Sequence, residues 1–497
     1  MKFLIPLFTL IFQTALFSDI EEQPIANYGP CRSMLSKPTE LVVTDSEIEV
    51  NGRVSHVYDI LYNGNERIIE KTKGDCFNLV VKNQSRNPTS IHWHGLVLPY
   101  REDGTPYVTQ PPIPPGKTYA YNFELVQAGT YWAHSHYGLQ EQKLLGLPLI
   151  LNASKENAIR SIVLFFEGFT FKSIDDVWQG LRKSYTEKIR VDKNFSPKFI
   201  NSQMPITNQT LNDVQYDAFL TNRKTVEKPD LIIVKPGEII RLRLINGSAS
   251  SNFHIDLGDL KAKVIAVDGN EVIPIEENHF PIATAQRVDV LISIPQEGGL
   301  FPIFAQCQGR ELRGGALLMT KDAQVSHFSS KAASKVGAIS NEFDKKLHAK
   351  NPLPNRKITR SLNVTLDGNM EYYTWGMNNH AWPKNEPLYV LEGQRVEVVF
   401  KNNTPMAHPM HLHGHIFQVT EIGGEKLKNG PLRDTLLVMP YQSAKIEFDA
   451  NNPGIWAFHC HNAYHLWGGM FTVIKYENFE GEVFSDQEIL KYSQKYN

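Results

Sequence analysis

The stretch Gly74 to Asn83 (GDCFNLVVKN) places apolar side chains at alternate positions behind a leading glycine and closes on an asparagine. The pattern returns as Gly237 to Asn246 (GEIIRLRLIN) and as Gly393 to Asn402 (GQRVEVVFKN). Alternation with a period of two predicts a half-buried strand, and the terminal Asn predicts a turn. A second phrase repeats once in each unit. Gly129 precedes His134 by five residues and Gly454 precedes His459 by five, while the matching stretch near Gly299 (GGLFPIFAQCQG) holds no histidine. One β-unit is therefore present three times.

Length agrees with that count. At 497 residues and 41% hydrophobic, the chain can bury several cores, and about 150 residues per domain gives three. Short β-branched and aromatic runs between Gly, Pro and Asn turns predict an all-β fold of sandwiches or barrels. Helical patterning is confined to a turn near 174–184 and the tail after Ser485. The expected division is a signal peptide at 1–18, domains at 25–155, 156–320 and 359–478, a polar linker at 321–358, and a tail at 479–497.

The N-terminal MKFLIPLFTLIFQTALFS has one Lys and a short apolar core ending in small residues, the form of a secretory signal. A retained anchor is the alternative, but the run is short for a span. A periplasmic or secreted monomer with no membrane span after signal cleavage is expected. Net charge of −2 and the lack of a basic run argue against nucleic acid or an anionic membrane surface as partner. Four cysteines are too few for a disulfide scaffold. With Cys460 committed elsewhere, the expected pairing is Cys31 with Cys307, leaving Cys76 as a small buried hydrophobe in its repeated strand.

The chemistry sits in the histidines. His92-Trp93-His94, His134-Ser135-His136, His411-Leu412-His413 and His459-Cys460-His461 are four His-x-His pairs, and with His408 and His465 they account for ten of 17 histidines. A single pair is as easily surface or packed imidazole; four in one chain, with a Cys-His-Met set, point to metal. Cys460, His465 and Met470 in HCHNAYHLWGGM offer the thiolate, imidazole and weak thioether of a blue-copper site. If AFHCH is a strand, Cys460 faces one way while His459 and His461 face the other. One tripeptide then joins an electron-accepting copper to a second metal site. His92 lies nine residues after Asn83 and His411 nine after Asn402, whereas the middle repeat reads Phe253-His254-Ile255-Asp256. Only the first and third units bear ligands, so the second site is expected at their interface.

The motifs HWHG, HSH, HPMHLHGH and HCHNAYHLWGGM, in this order between about residues 40 and 475, resemble those of three-domain multicopper oxidases of the laccase and ascorbate oxidase group. The resemblance implies three tandem cupredoxin-like Greek-key β-barrel domains and four copper ions. It places a type 1 copper on His408, Cys460 and His465 with Met470 axial, and a type 2 copper on His92 and His411. A type 3 pair falls on His94, His134 and His461 and on His136, His413 and His459. Electrons would reach type 1 copper through a solvent-side imidazole of His465 or His408, pass along Cys460 to His459 and His461, and reduce dioxygen to water. Asp103 matches a family acid beside the cluster and is expected to relay protons, although an Asp-Gly turn explains it without the resemblance. Asp434 is expected to hydrogen-bond structurally, and His415 and His254 to be packed. Gly468 and Gly469 are expected to let Met470 approach its copper.

Substrate is less legible. Phenol oxidation is preferred to oxidation of Fe(II) or Cu(I): the ten Met residues form no cluster, and carboxylates that would bind iron leave no motif. A phenol oxidase should show an open apolar cleft at His465 or His408, a ferrous oxidase two or three convergent carboxylates. A non-catalytic copper-binding protein of the cell envelope, a copper buffer or a copper nitrite reductase explains fewer of the ligands present.

Overall fold

The computed structural model describes residues 37–154, 159–193, 195–199 and 205–481. The expected signal peptide, Cys31 and the tail beyond residue 481 lie outside them. The chain runs through three successive pairs of β-sheets. The first pair combines a four-stranded sheet (Arg53–Tyr62, Thr39–Val50, Cys76–Asn83, Thr118–Glu124) with another (Ile69–Thr72, Gly146–Asn152, Gly129–Ser135, Ile91–His94). The second spans strands from Ser161–Phe169 to Arg313–Thr320, and the third from Arg360–Asn369 to Phe471–Tyr476.

The repeated phrases become equivalent strands. Cys76–Asn83, Ile239–Asn246 and Arg395–Asn402 each run parallel to the first strand of their own unit. Their closing asparagines build the same buried corner. Asn83 Nδ2 donates to the carbonyls of Asn87 and Ile113, both at 2.8 Å, while its Oδ1 accepts from Ser85 N. Asn246 does this with Ser251 and Ile282 and accepts from Ser248 N. Asn402 does it with Met406 and Val438 and accepts from Thr404 N. A buried amide that satisfies both its donor and acceptor sides fixes the chain direction after the strand, and after this corner come the strands Ile91–His94, Phe253–Asp256 and His408–Leu412.

One apolar core runs without a break from the first unit (Leu41 to Leu151) into the third (Leu362 to Tyr476), whereas the second unit packs around its own cluster. The stretch 321–358 carries a short helix, Glu342–Lys346, whose Phe343 and neighbouring Leu347 are buried in that second cluster. Near 174–184 there are two helices, Ile174–Leu181 and Lys183–Val191; the first opens on a capping box between Ser173 and Asp176 and buries Val177 and Trp178.

The cysteine expectation is overturned. Cys76 is disulfide-bonded, and Cys307 is a free, buried thiol whose Sγ lies 3.1 Å from Asn212 Oδ1. Burial pushes that thiol up to about 12, so it is inert rather than poised for exchange.

Candidate metal centre

Strand pairing brings the histidines together. His92 lies opposite His134 across Ile91–His94 and Gly129–Ser135, and His411 opposite His459 across His408–Leu412 and Ile455–Cys460. Within each strand the alternation holds. Trp93 turns into the core against Phe77 and Tyr121 while His92 and His94 share the other face. Gly95 ends this strand at φ +87°, where a Cβ would sit 2.5 Å from both Arg287 Nη2 and Asp434 Oδ2.

Five groups of donor atoms result, each with its atoms within 4.8 Å of one another: His92, His94 and His411; His94, His134 and His461; His136, His413 and His459; His408, Cys460 and His465; and a fifth that adds Asp103 to His92 and His413. Cys460 thus stands apart from its neighbours, as the strand alternation predicts. All eight interface histidines fall in the first three linked groups, the convergence expected between the first and third units.

The outer ring nitrogens show why the inner ones are bare. Carbonyl oxygens can only accept, so His92 Nδ1–H donates to Asp103 O (2.9 Å), His134 to Ser135 O (3.1 Å), His411 to Asp434 O (2.8 Å) and His459 to Cys460 O (3.0 Å). Each bond fixes the tautomer and leaves the Nε2 lone pair facing inward. His94 is turned around: its Nε2 meets Asp434 Oδ1 at 3.0 Å, leaving Nδ1 inside. His92 Nε2, His94 Nδ1 and His411 Nε2 are buried with no hydrogen-bond partner, an arrangement that costs free energy unless something else binds them. Burial first, and then neighbouring imidazoles, hold His94, His134, His408, His411, His413, His459 and His461 well below the ordinary histidine value, and His136 at about 3. All are neutral at neutral pH, the form that ligates.

The spacing fits a metal. Inner nitrogens lie 3.0 Å apart in His413–His459, 3.2 Å in His136–His459 and 3.3 Å in His134–His461; tetrahedral nitrogens about 2.0–2.1 Å from one ion would be about 3.4 Å apart. Cys460 Sγ lies 3.5 Å from His408 Nδ1 and 3.6 Å from His465 Nδ1, against about 3.6 Å for a tetrahedral thiolate–imidazole pair. Burial pushes the Cys460 thiol up, so a thiolate here needs a cation beside it. Met470 is fully buried, its carbonyl accepting from Cys460 N and its N–H donating to His465 O. Gly469 makes that turn at φ +113°, where a Cβ would meet Trp375 O at 2.6 Å.

The comparisons agree. Sequence models described as multicopper oxidase match residues 43–155, 181–327 and 355–480. The multicopper oxidase MmcO of Mycobacterium tuberculosis is 34% identical over 82% of this chain and 81% of its own. Copper resistance protein A of Escherichia coli is 26% identical over 90% of this chain and 95% of its own. The crystal structure of Fet3p, described as a multicopper oxidase that functions in iron import, superposes with TM-score 0.73 at 20% identity, covering 92% of this chain and 94% of that one. The chain belongs to the multicopper oxidases. It is a copper-dependent oxidoreductase that uses dioxygen as acceptor, of a family that binds four coppers.

Within this multicopper oxidase, Asp103 is fully buried, accepts from Thr105 Oγ1 at 2.6 Å and lies 3.0 Å from His413 Nδ1. Burial alone would raise its carboxyl, but the adjacent His92 and the Thr105 hydroxyl hold it below its ordinary value. Asp434 does more than the sequence suggested, orienting His94 and His411 together. His415 is hydrogen-bonded, as expected, to His413 O and Tyr476 OH, and burial holds it at about 4; His254 meets Gly337 O.

The solvent-side imidazole is a correction: His465 and His408 are both fully buried. His465 Nε2 lies 3.1 Å from Asp213 Oδ2, and Tyr373 and Trp375 close around the ring. Sequence reasoning also missed Arg287, which grips Asp434 through Nη1 (2.8 Å) and Nη2 (2.6 Å), and Glu141, 3.4 Å from His134 Nδ1. Thr435, whose Oγ1 lies 3.3 Å from His94 Nε2 and 3.2 Å from His411 Nδ1, follows Asp434 in the LRDTLLV stretch and was within reach of the motif; Arg287 and Asp213 lie in the unit without ligands and carry no local signal.

The unfolded chain protonates its histidines near about 6.5, but His94, His134, His136, His408, His411, His413, His415, His459 and His461 stay neutral when folded. Below that pH the unfolded state binds more protons, so stability falls as pH falls. Glu102, Glu141 and Glu167, raised by burial, act oppositely but are outnumbered. The melting temperature of copper-free protein should drop steeply from pH 7 to pH 5; a flat profile would contradict neutral imidazoles in the fold.

Proposed function

We propose that His408, Cys460 and His465, together with Met470, hold the type 1 copper, and His92 and His411 the type 2 copper. The type 3 pair is held by His94, His134 and His461 and by His136, His413 and His459. Copper so held would supply one-electron redox chemistry at the sulfur site and reduction of dioxygen at the histidine cluster. The residues do the rest. Cys460 and its two neighbours link the sites through the backbone, Asp434 and the carbonyls fix the imidazole tautomers, and Asp103 holds a carboxylate against His413, placed to pass protons. The N-terminal run supports a periplasmic or secreted location.

The donor in this reading is an electron-rich phenol. What supports it is a cavity of about 620 Å³ lined by residues of all three units. Trp382, Phe471, Tyr185, Trp467 and Leu466 line it, and it adjoins His136 and the Gly468-Gly469 turn before Met470 rather than His465 or His408, the imidazoles at which the sequence reading placed a phenol cleft. Mainly apolar walls of this size suit an aromatic ring. Beside His465, among the described residues, one carboxylate is in hydrogen-bonding range, that of Asp213. The same Asp213 carries the second reading. Its Oδ1 is buried without a partner and would suit a hard cation such as Fe(II), and relatives named for copper resistance and iron import keep metal ions in view.

Turnover of a dimethoxyphenol, Fe(II) and Cu(I), measured side by side on copper-loaded protein, separates the two. The phenol should have the highest kcat/KM. Efficient metal oxidation with negligible phenol turnover would replace this reading, and Asp213→Asn should then depress metal turnover while leaving the blue band.

A further inference from the structure

No donor can touch His465 or His408, since both are fully buried. An electron bound for this site crosses protein, and the rings in its way are oxidisable ones. Trp375 lies 4.1 Å from His465. Tyr373 lies 6.2 Å from His465, and its hydroxyl donates to the same Asp213 oxygen that meets His465 Nε2. Trp178 stands edge-on to Tyr373 with centroids 6.0 Å apart. This last indole belongs to the helix Ile174–Leu181 and is 4% exposed. It forms part of the wall of a surface groove of about 300 Å³, together with Tyr58, Tyr137, Lys143 and Trp467. The groove is separate from the larger cavity, although Trp467 borders both.

We infer that this groove is a second docking place for one-electron donors, chiefly those too large to approach the closed type 1 imidazole, and that Trp178 and Tyr373 carry their electrons to His465. The inference rests on the type 1 assignment above and extends the donor reading to bulky or outer-sphere reductants. Indole and phenol are the side chains best able to lose and regain one electron. Each passage moves a single electron: the donor is oxidised by one electron and sheds any proton to solvent, and Trp178 is restored. Tyr373 loses and regains its electron while its hydroxyl proton shifts to Asp213 and returns. The relay ends unchanged, and the electron rests on the oxidant held by His465.

The test uses Trp178→Phe and Tyr373→Phe, which keep an aromatic ring but remove the oxidisable one. Anaerobic bleaching of the blue band by ferrocyanide should slow about tenfold or more in each, a barrier change of about 1.4 kcal/mol, with the band's position unchanged. Trp178→Phe does not touch Asp213 or His465, so a slowing there cannot come from a disturbed ligand, and it carries the test if Tyr373→Phe fails to fold. A second readout needs no copper. Flash oxidation of the copper-free protein by a ruthenium(III) complex, generated by light from its ruthenium(II) form with persulfate as electron acceptor, should give an electron paramagnetic resonance signal containing a tyrosyl component that Tyr373→Phe lacks and Trp178→Phe weakens. Wild-type bleaching rates in both variants, or a radical signal identical in all three proteins, would overturn the relay. If wild-type protein ignores the phenol but both variants slow with ferrocyanide, the phenol reading fails and the relay stands. If phenol turnover is high and neither variant slows, the reverse holds.

Discussion

Cys460→Ser will give a colourless protein with less than about one per cent of wild-type turnover, because hydroxyl oxygen is a hard, weak replacement for thiolate. The loss should be local. Cys460 groups with His408 and His465 alone, while its neighbours His459 and His461 belong to the other groups. Metal analysis should therefore show about three coppers retained of the four that the family binds. Retained blue colour would refute the placing of Cys460, and loss of all copper would mean that the sites assemble as one unit.

Asp434→Ala should be the most damaging change away from the ligands themselves. The side chain of Asp434 receives both ends of the Arg287 guanidinium and meets His94, and its backbone carbonyl holds His411. Removing one partner of a buried ion pair costs roughly 3–5 kcal/mol, since the other charge is left without its counterion. Asp268, 3.7 Å from Arg287, offsets part of this, so about 3 kcal/mol is expected in chemical unfolding. Loss of the partner that orients a ligating imidazole should weaken copper at His94 about 10–100-fold. Arg287→Met in the same chain should recover much of the stability but none of the copper affinity. Recovery of both together would show that Asp434 serves packing alone.

The parts of the site legible in the sequence are those with a local period. The His-x-His pairs announced one shared face because a strand alternates every second residue, and the Gly-to-Asn repeats located them because each Asn builds the same corner. What escaped depends on contacts between units. Nothing near Arg287 or Asp213 in the sequence marks them, because their partners, Asp434 and His465, lie in another unit. Counting cysteines assigned the disulfide to Cys307 because Cys76 sits in an alternating strand, yet Cys76 is half-buried in that strand and Cys307 is sealed. The exposed type 1 imidazole failed for a similar reason: the closure comes from Tyr373, Trp375 and a middle-unit carboxylate, none adjacent in sequence to the motif.

The split of the histidine cluster between the two ends of the chain sets a timetable. His92, His94, His134 and His136 are complete as a β-unit long before His411, His413, His459 and His461 exist. Roughly 300 residues separate the halves, about 15–60 s of synthesis at ordinary rates. During that interval the early imidazoles face no partner strand and hold no closed site. Copper loading is thus a maturation step of the finished chain, and a protein cut short before the third unit would lack both the four later histidines and the half of the apolar core that its first unit shares with the third.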